Sequence, residues 1–163
     1  MITHGSWSIH TVDGADVRLR SGKIGLFTVD VTAPVRHGSL HIDASGVRLD
    51  LVLALERLST GNFLVDRAAK SLVTRHNAHD LTYRANGHAG EQPWNVAGHA
   101  VSGDVDVELR VTVSPVGVLN PMDEIEIVGS GDMGTVHLPM PGLGTVDDFS
   151  FDVDARLSLL PSG

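Results

Sequence analysis

Val47-Arg48-Leu49-Asp50-Leu51-Val52-Leu53-Ala54-Leu55 alternates a Val/Leu row with a row of Arg, Asp, Val and Ala. A period of two is that of a strand with one buried face. Just downstream, in Leu58-Ser59-Thr60-Gly61-Asn62-Phe63-Leu64-Val65-Asp66, the period changes. Leu64, Ala68 and Leu72 fall four apart with Ala69 and Val73 beside them, while Asp66, Arg67, Lys70 and Thr74 face away. This spacing predicts an amphipathic helix over roughly 63–75, with Asn62 as N-cap and Asp66 placed four residues before Lys70, the favourable order for an ion pair. Its apolar stripe needs a sheet or a barrel mouth to cover.

Outward from this junction the period of two returns. Val105, Val107, Leu109, Val111 and Val113 alternate with Asp106, Glu108, Arg110 and Thr112, and Phe151, Val153, Ala155, Leu157 and Leu159 alternate with Asp152, Asp154, Arg156 and Ser158. Shorter strands are expected over 7–12, 15–20, 24–32, 38–43, 81–85, 95–101, 124–128 and 133–138. Gly14, Ser21-Gly22, Ser45-Gly46, Asn86-Gly87 and Ser102-Gly103 supply turns between them,. Pro139-Met140-Pro141-Gly142-Leu143-Gly144 cannot carry a ladder and reads as a loop at one end,. Many hairpin signals and few crossovers predict an all-β meander. Closure into a single antiparallel up-and-down barrel of about eight strands, lipocalin-like and with one inserted α-helix, removes the exposed edges. The alternative packing is a sandwich filled by its own aliphatic side chains.

The bulk composition fits one domain over 1–163: 163 residues with 42% hydrophobic residues can bury one good core but not two,. Twenty acidic against twelve basic residues leave a net charge of −8. Nucleic acid and anionic membrane surfaces, which need a positive footprint, are not expected partners. With no cysteine there is no disulfide, thiolate chemistry or iron–sulfur ligation,. Only Lys23 and Lys70 stand against the many arginines, as in GC-rich bacterial genomes. Met1 to Trp7 has no basic segment followed by an apolar run, and no window reaches the roughly 20 apolar residues of a spanning helix,. A water-soluble, cytoplasmic protein is the expectation.

Several of these segments resemble the YceI family, lipocalin-like barrels associated with binding polyisoprenoid lipids such as quinones and their precursors. Trp7-Ser8-Ile9-His10 is similar to the family's opening Trp-x-Ile-Asp, with His10 in place of the acid. Ser59-Thr60-Gly61-Asn62, Asp66 and Lys70-Ser71 follow the family's junction after the long strand, with Ala68-Ala69 where His-Leu is usual. His79-Asp80-Leu81-Thr82-Tyr83 looks like the return strand without its proline. Gly98-His99-Ala100-Val101-Ser102-Gly103 looks like the Gly-rich hairpin, and Ser130-Gly131-Asp132-Met133-Gly134 keeps the acid and final glycine of a late Arg-x-Asp-Phe-Gly element. The resemblance implies a barrel that carries or sequesters an elongated apolar small molecule, an isoprenoid or quinone-like lipid.

An apolar tail gains affinity through buried area, so the residues expected to line its site are apolar. Leu49, Leu51 and Leu53 stand on the long strand, Phe63, Leu64 and Leu72 at the helix, Leu109 and Val111 on a later strand, and Met133, Phe149 and Phe151 near the C-terminal strand. Tyr83 and Trp94, each an apolar body with a polar tip, are candidates for a head group. Of nine histidines, His76 with His79 and His37 with His41 have metal-compatible spacing, but neither pair brings a local third ligand,. No metal, cofactor or catalytic residue is expected, and no nucleophile elbow, phosphate loop or dinucleotide fingerprint is present. The competing reading is a filled barrel acting through protein contacts, as a homodimer through an outer face that includes Val52 and Ala54.

Overall fold

A computed structural model describes residues 4–11, 14–21, 30–55, 80–90, 92–102, 105–117, 122–132, 136–137, 145–146 and 150–161. Among these residues eleven strands run in chain order: β1 (Gly5–Ile9), β2 (Asp16–Ser21), β3 (Asp30–Asp43), β4 (Gly46–Ala54), β5 (Asp80–Gly87), β6 (Trp94–Ser102), β7 (Val105–Pro115), β8 (Glu124–Asp132), β9 (Val136–His137), β10 (Thr145–Val146) and β11 (Ser150–Pro161). Nine of them form one antiparallel sheet that closes on itself where β11 pairs with β8, and β9 pairs with β10 separately. The barrel and its strand alternation are those expected. No α-helix occurs among the described residues, and the expected helix over 63–75 lies outside them, as does the loop over 139–144.

Closure gives eight positions around the barrel because β1 and β2 share one. β1 pairs with the late half of β3, Ser39 to Ile42, and with Leu159 to Pro161 of β11. β2 takes up the same two neighbours further along, Asp30 to Pro34 of β3 and Phe151 to Ala155 of β11. They are thus two halves of a single interrupted stave. The ladder is strongly staggered: from Trp7 the register runs through Leu40, Leu49, Ala85, Gly98, Leu109, Gly131 and Phe151 and returns at Ser21. Such stagger is what tilts strands enough to close a barrel.

Three local expectations change. Segments 24–32 and 38–43 were expected as separate strands, but β3 is a single 14-residue strand from Asp30 to Asp43 whose register with β4 shifts between Val35 and His37. Pro34 is tolerated because it lies past the last β3–β4 pair, where its missing N–H is not required,. Asn86-Gly87 is not a turn: both residues pair with β6, and the connection follows them. Ala54, expected on an outer face, is 1% exposed, so the end of β4 is covered on both sides and Ala54 offers no surface to a partner.

Alternation sorts the wall cleanly. β11 reads exposed and buried in strict turn from Ser150 to Leu160, with Phe151, Val153, Ala155, Leu157 and Leu159 inside. Outside stand Arg48, Arg84, Arg110, Asp152 and Asp154, the reverse of a membrane barrel's apolar outer band,. No helix of the described residues is long and apolar enough to cross a membrane.

The outer charges form cross-strand pairs that fix turns and neighbours. Arg18 donates from Nε to Asp30 at 2.9 Å, and Arg36 bridges β3 to Asp80 of β5 at 2.6 Å. In the β3–β4 hairpin, Asp43 accepts from the Ser45 hydroxyl and N–H, and from the Gly46 N–H. These bonds from Ser45, with one from His41, hold the Asp43 carboxyl well below the usual carboxylate range,. Its folded value is depressed, so its contribution to stability is complete above the ordinary carboxylate pKa and disappears as pH falls through the lower folded value.

A Cβ on Gly98 would overlap the Arg84 carbonyl oxygen and crowd Ala85, whereas one on Gly90 meets nothing within 4 Å. Gly98→Ala should lose about 1–3 kcal/mol in denaturant unfolding. Gly90→Ala should stay within about 0.5 kcal/mol of the parent. Asp43→Asn should lower the thermal midpoint at neutral pH, and circular-dichroism melts should show that difference narrowing below about pH 4.

Candidate ligand-binding interior

The two ends of the barrel differ in their connections. At one end lie the short links between β3 and β4 and between β5 and β6, the link between β7 and β8, and the start of β1; we term it the turn end. At the other, the chain leaves β4 at Ala54 and returns at Asp80, and leaves β8 at Asp132 and returns at Ser150. This insertion end is also where the stretch carrying the expected helix joins the barrel.

Side-chain size follows the same axis on two staves. The inward row of β6 runs Trp94, Val96, Gly98, Ala100, Ser102 from turn end to insertion end, and that of β8 runs Ile125, Ile127, Gly129, Gly131. Both taper from bulky to minimal. The largest fully enclosed side chains, among them Trp94, Ile42, Ile125, Ile127 and Leu157, all belong to the turn-end half. Toward the insertion end Val107, Leu109 and Phe151 retain 8%, 7% and 7% of their surface. Leu53 and Ala54, at the end of β4 on that side, are enclosed at 4% and 1%, so the gradation is one of side-chain size on β6 and β8.

The small residues also make room for particular neighbours. Tyr83 on β5 spans the inner face of β6 and donates its hydroxyl to the Leu109 carbonyl on β7 at 2.8 Å. Gly98 stands in the intervening row, paired with Ala85 on one side and Leu109 on the other. Gly131 lies against the Phe151 ring, which a Cβ there would meet at 2.7 Å. Two polar side chains inside bond to backbone. Ser102 donates to the Asp80 carbonyl at 2.6 Å, and Trp94 Nε1 donates to the Gly90 carbonyl at 3.1 Å.

Of the residues expected to line a site, Leu49, Leu51, Leu53, Tyr83, Trp94, Leu109, Val111 and Phe151 all face the interior and belong to one contiguous cluster. They do not share one level: Trp94 is at the turn end, and Leu53 and Phe151 are near the insertion end. Phe63, Leu64, Leu72, Met133 and Phe149 lie outside the described residues. Sequence reading took slim inward faces from the Ala and Gly content as a whole but did not place them on β6 and β8, because it sought lining among large residues. Their signal is the size trend along alternate positions. Among the described residues no group of three or more His, Asp or Glu could hold a metal ion, and both ring nitrogens of His41 have protein partners.

Tyr83 is the chain's single tyrosine, which makes its titration readable. Burial pushes its hydroxyl above the ordinary phenol value,. A raised value means that the stability it contributes is complete below about pH 10 and is lost above. In an absorbance titration the phenolate band should not develop through pH ~10, and it should appear at higher pH together with loss of the near-ultraviolet dichroism. Tyr83→Phe should cost about 1 kcal/mol by leaving the Leu109 carbonyl short of a donor.

No family model and no curated protein sequence matches the chain. Solved structures do. The crystal structure of Burkholderia cenocepacia BcnA aligns at a TM-score of 0.58 and 10% identity, covering 87% of this chain and 95% of that one. The structure of a polyisoprenoid binding domain from Saccharophagus degradans, implicated in plant cell wall breakdown, aligns at 0.53 and 10% identity over 98% of this chain and 100% of that domain. Likeness at this identity speaks for architecture, and the architecture shared with these structures is the closed antiparallel barrel.

Proposed function

We propose that the barrel binds an elongated apolar small molecule, an isoprenoid or quinone-like lipid, which enters from the insertion end, and that the protein carries or sequesters it. The observation that carries this reading is the interior itself: its wall is apolar, tapers to glycine and alanine on β6 and β8, and spends its polar atoms on its own backbone. Such a surface offers no charge and few free hydrogen bonds to a ligand. It favours a hydrocarbon tail, which gains about 0.8 kcal/mol for each buried methylene-sized group. Any polar head is then held at the insertion end. The shared architecture of a domain described as polyisoprenoid-binding supports the same reading. A carrier of this kind needs no catalytic group in the barrel interior.

Native mass spectrometry of the purified chain, followed by organic extraction and mass analysis of the extract, tests it. A stoichiometric apolar compound, or uptake of one equivalent of an added prenyl alcohol or quinone, is the expected result. A chain that remains empty when offered either compound overturns the carrier reading, and a dimer mass without ligand moves weight to the filled-barrel alternative.

A further inference from the structure

The outer face of β1 and β3 holds a side-chain cluster that the interior does not use. Ser6 and His41 are direct cross-strand partners, and Asp43 follows on the same face of β3. Ser6 Oγ lies 2.5 Å from His41 Nδ1, and His41 Nε2 lies 2.9 Å from Asp43 Oδ2. The protons can be assigned. Asp43 is held as a carboxylate and can only accept, so His41 Nε2 bears hydrogen and donates to it,. In neutral His41, Nδ1 is then an acceptor, and the Ser6 hydroxyl donates to it. A hydroxyl bonded to an imidazole, itself oriented by a carboxylate, is the arrangement that activates serine nucleophiles on unrelated folds.

Access and a binding surface accompany it. The side chains of His41 and Asp43 remain 43% and 44% exposed. Ser6, His41, Arg48 and Asn86 form one register row across four neighbouring staves. Arg48 and Asn86 also line an outward groove of about 530 Å3 together with Ser39, Thr82 and Arg84. Asp50 lines the groove too and pairs with Arg48 at 3.7 Å and Arg84 at 3.9 Å, so Arg48, one register step beyond His41, is the donor of that row nearest the serine.

We propose that Ser6 is an acyl-accepting nucleophile on the outer wall, with His41 as its base and Asp43 as the group orienting His41, and that its substrates are small carboxylic esters that approach it from the side of Arg48. Ser6 Oγ bonds to the ester carbonyl carbon as its proton passes to His41 Nδ1. The carbon–oxygen bond to the alcohol then breaks, and the departing oxygen takes that proton. Water, deprotonated by His41, attacks the acyl-Ser6 carbonyl, the Ser6 oxygen leaves and regains a proton from His41, and the carboxylic acid departs. The site is separate from the barrel interior and does not depend on the carrier reading.

Labelling of the full chain with a fluorophosphonate probe, mapped by peptide mass spectrometry, tests this directly. The expected result is one phosphonyl adduct, on Ser6, absent in Ser6→Ala and formed at least roughly 100-fold more slowly in His41→Gln, the scale of a lost general base. p-Nitrophenyl acetate should acetylate the same residue. Dichroism melts of both variants establish that the barrel persists, and the parent chain decides the matter even if a variant fails to fold. Absence of a Ser6 adduct in the folded parent, an unchanged rate in folded His41→Gln, or equal labelling of other hydroxyls overturns the proposal.

Discussion

The pairing of β11 with strands on both its sides is the constraint on which the rest of the structure depends. One edge of β11 runs against β8 from Ser150 to Ser158, and the other meets β2 and then β1. Removed from that place, it would leave β8 on one side and the divided β1/β2 stave on the other as open edges, exposing rows of backbone donors and acceptors. Its register also decides what faces inward, since a slip of one residue would send Phe151, Val153 and Leu157 outward and bring Asp152, Asp154 and Arg156 into the core,. No pairing of carboxylates and guanidinium in an apolar interior would offset that exchange. The seam is specified by burial, and the outer Arg156 to Glu124 and Glu126 pairs only accompany it,.

Once closed, the barrel cannot be uniform along its axis. Bulky residues at the turn end, Trp94 on β6 and Ile125 on β8, are fully enclosed, and the same staves end in Ser102 and Gly131 at the other mouth. Tyr83 and Phe151 occupy part of the room that this leaves, one reaching past Gly98 and the other lying against Gly131. Both contacts use side-chain absence on one stave to accommodate a ring from another. What remains is an apolar end joined to the two longest insertions, and that asymmetry links the packing to the carrier function proposed for it.

Much of this was legible in the sequence, and the parts that were not share a cause. The strands over 47–55, 105–113 and 151–159 declare themselves because each buries one face, which leaves a period of two in the residues themselves. Pairing between distant segments leaves no such local mark. The strands expected over 24–32 and 38–43 left a gap between them, yet β3 runs unbroken through Pro34, whose missing donor falls beyond the last β4 pair. Asn86-Gly87 carried a turn's composition, yet both residues continue β5 in a ladder with β6. Ala54 followed the outward row, and only the three-dimensional fold covers it. Likewise Ser6 and His41 carry no spacing motif and meet only because β1 lies beside the far half of β3. The candidate interior was legible as a set of large apolar residues and the slimness of its inward faces from the Ala and Gly content, but the graded bore on β6 and β8 was not, because no single position was read as small for a reason.

The graded bore is tested most directly by a matched pair on β7. Val107 and Val113 share the same strand and the same inward row, at 8% and 0% exposure near opposite ends. Each should be replaced by phenylalanine and the unfolding free energy measured in denaturant. The account predicts that Val113→Phe loses about 1–3 kcal/mol through overpacking. Val107→Phe, whose β6 partner is Ala100, should lose clearly less. Equal losses at the two positions would contradict it, because they would mean that the interior is packed to the same density from one end to the other.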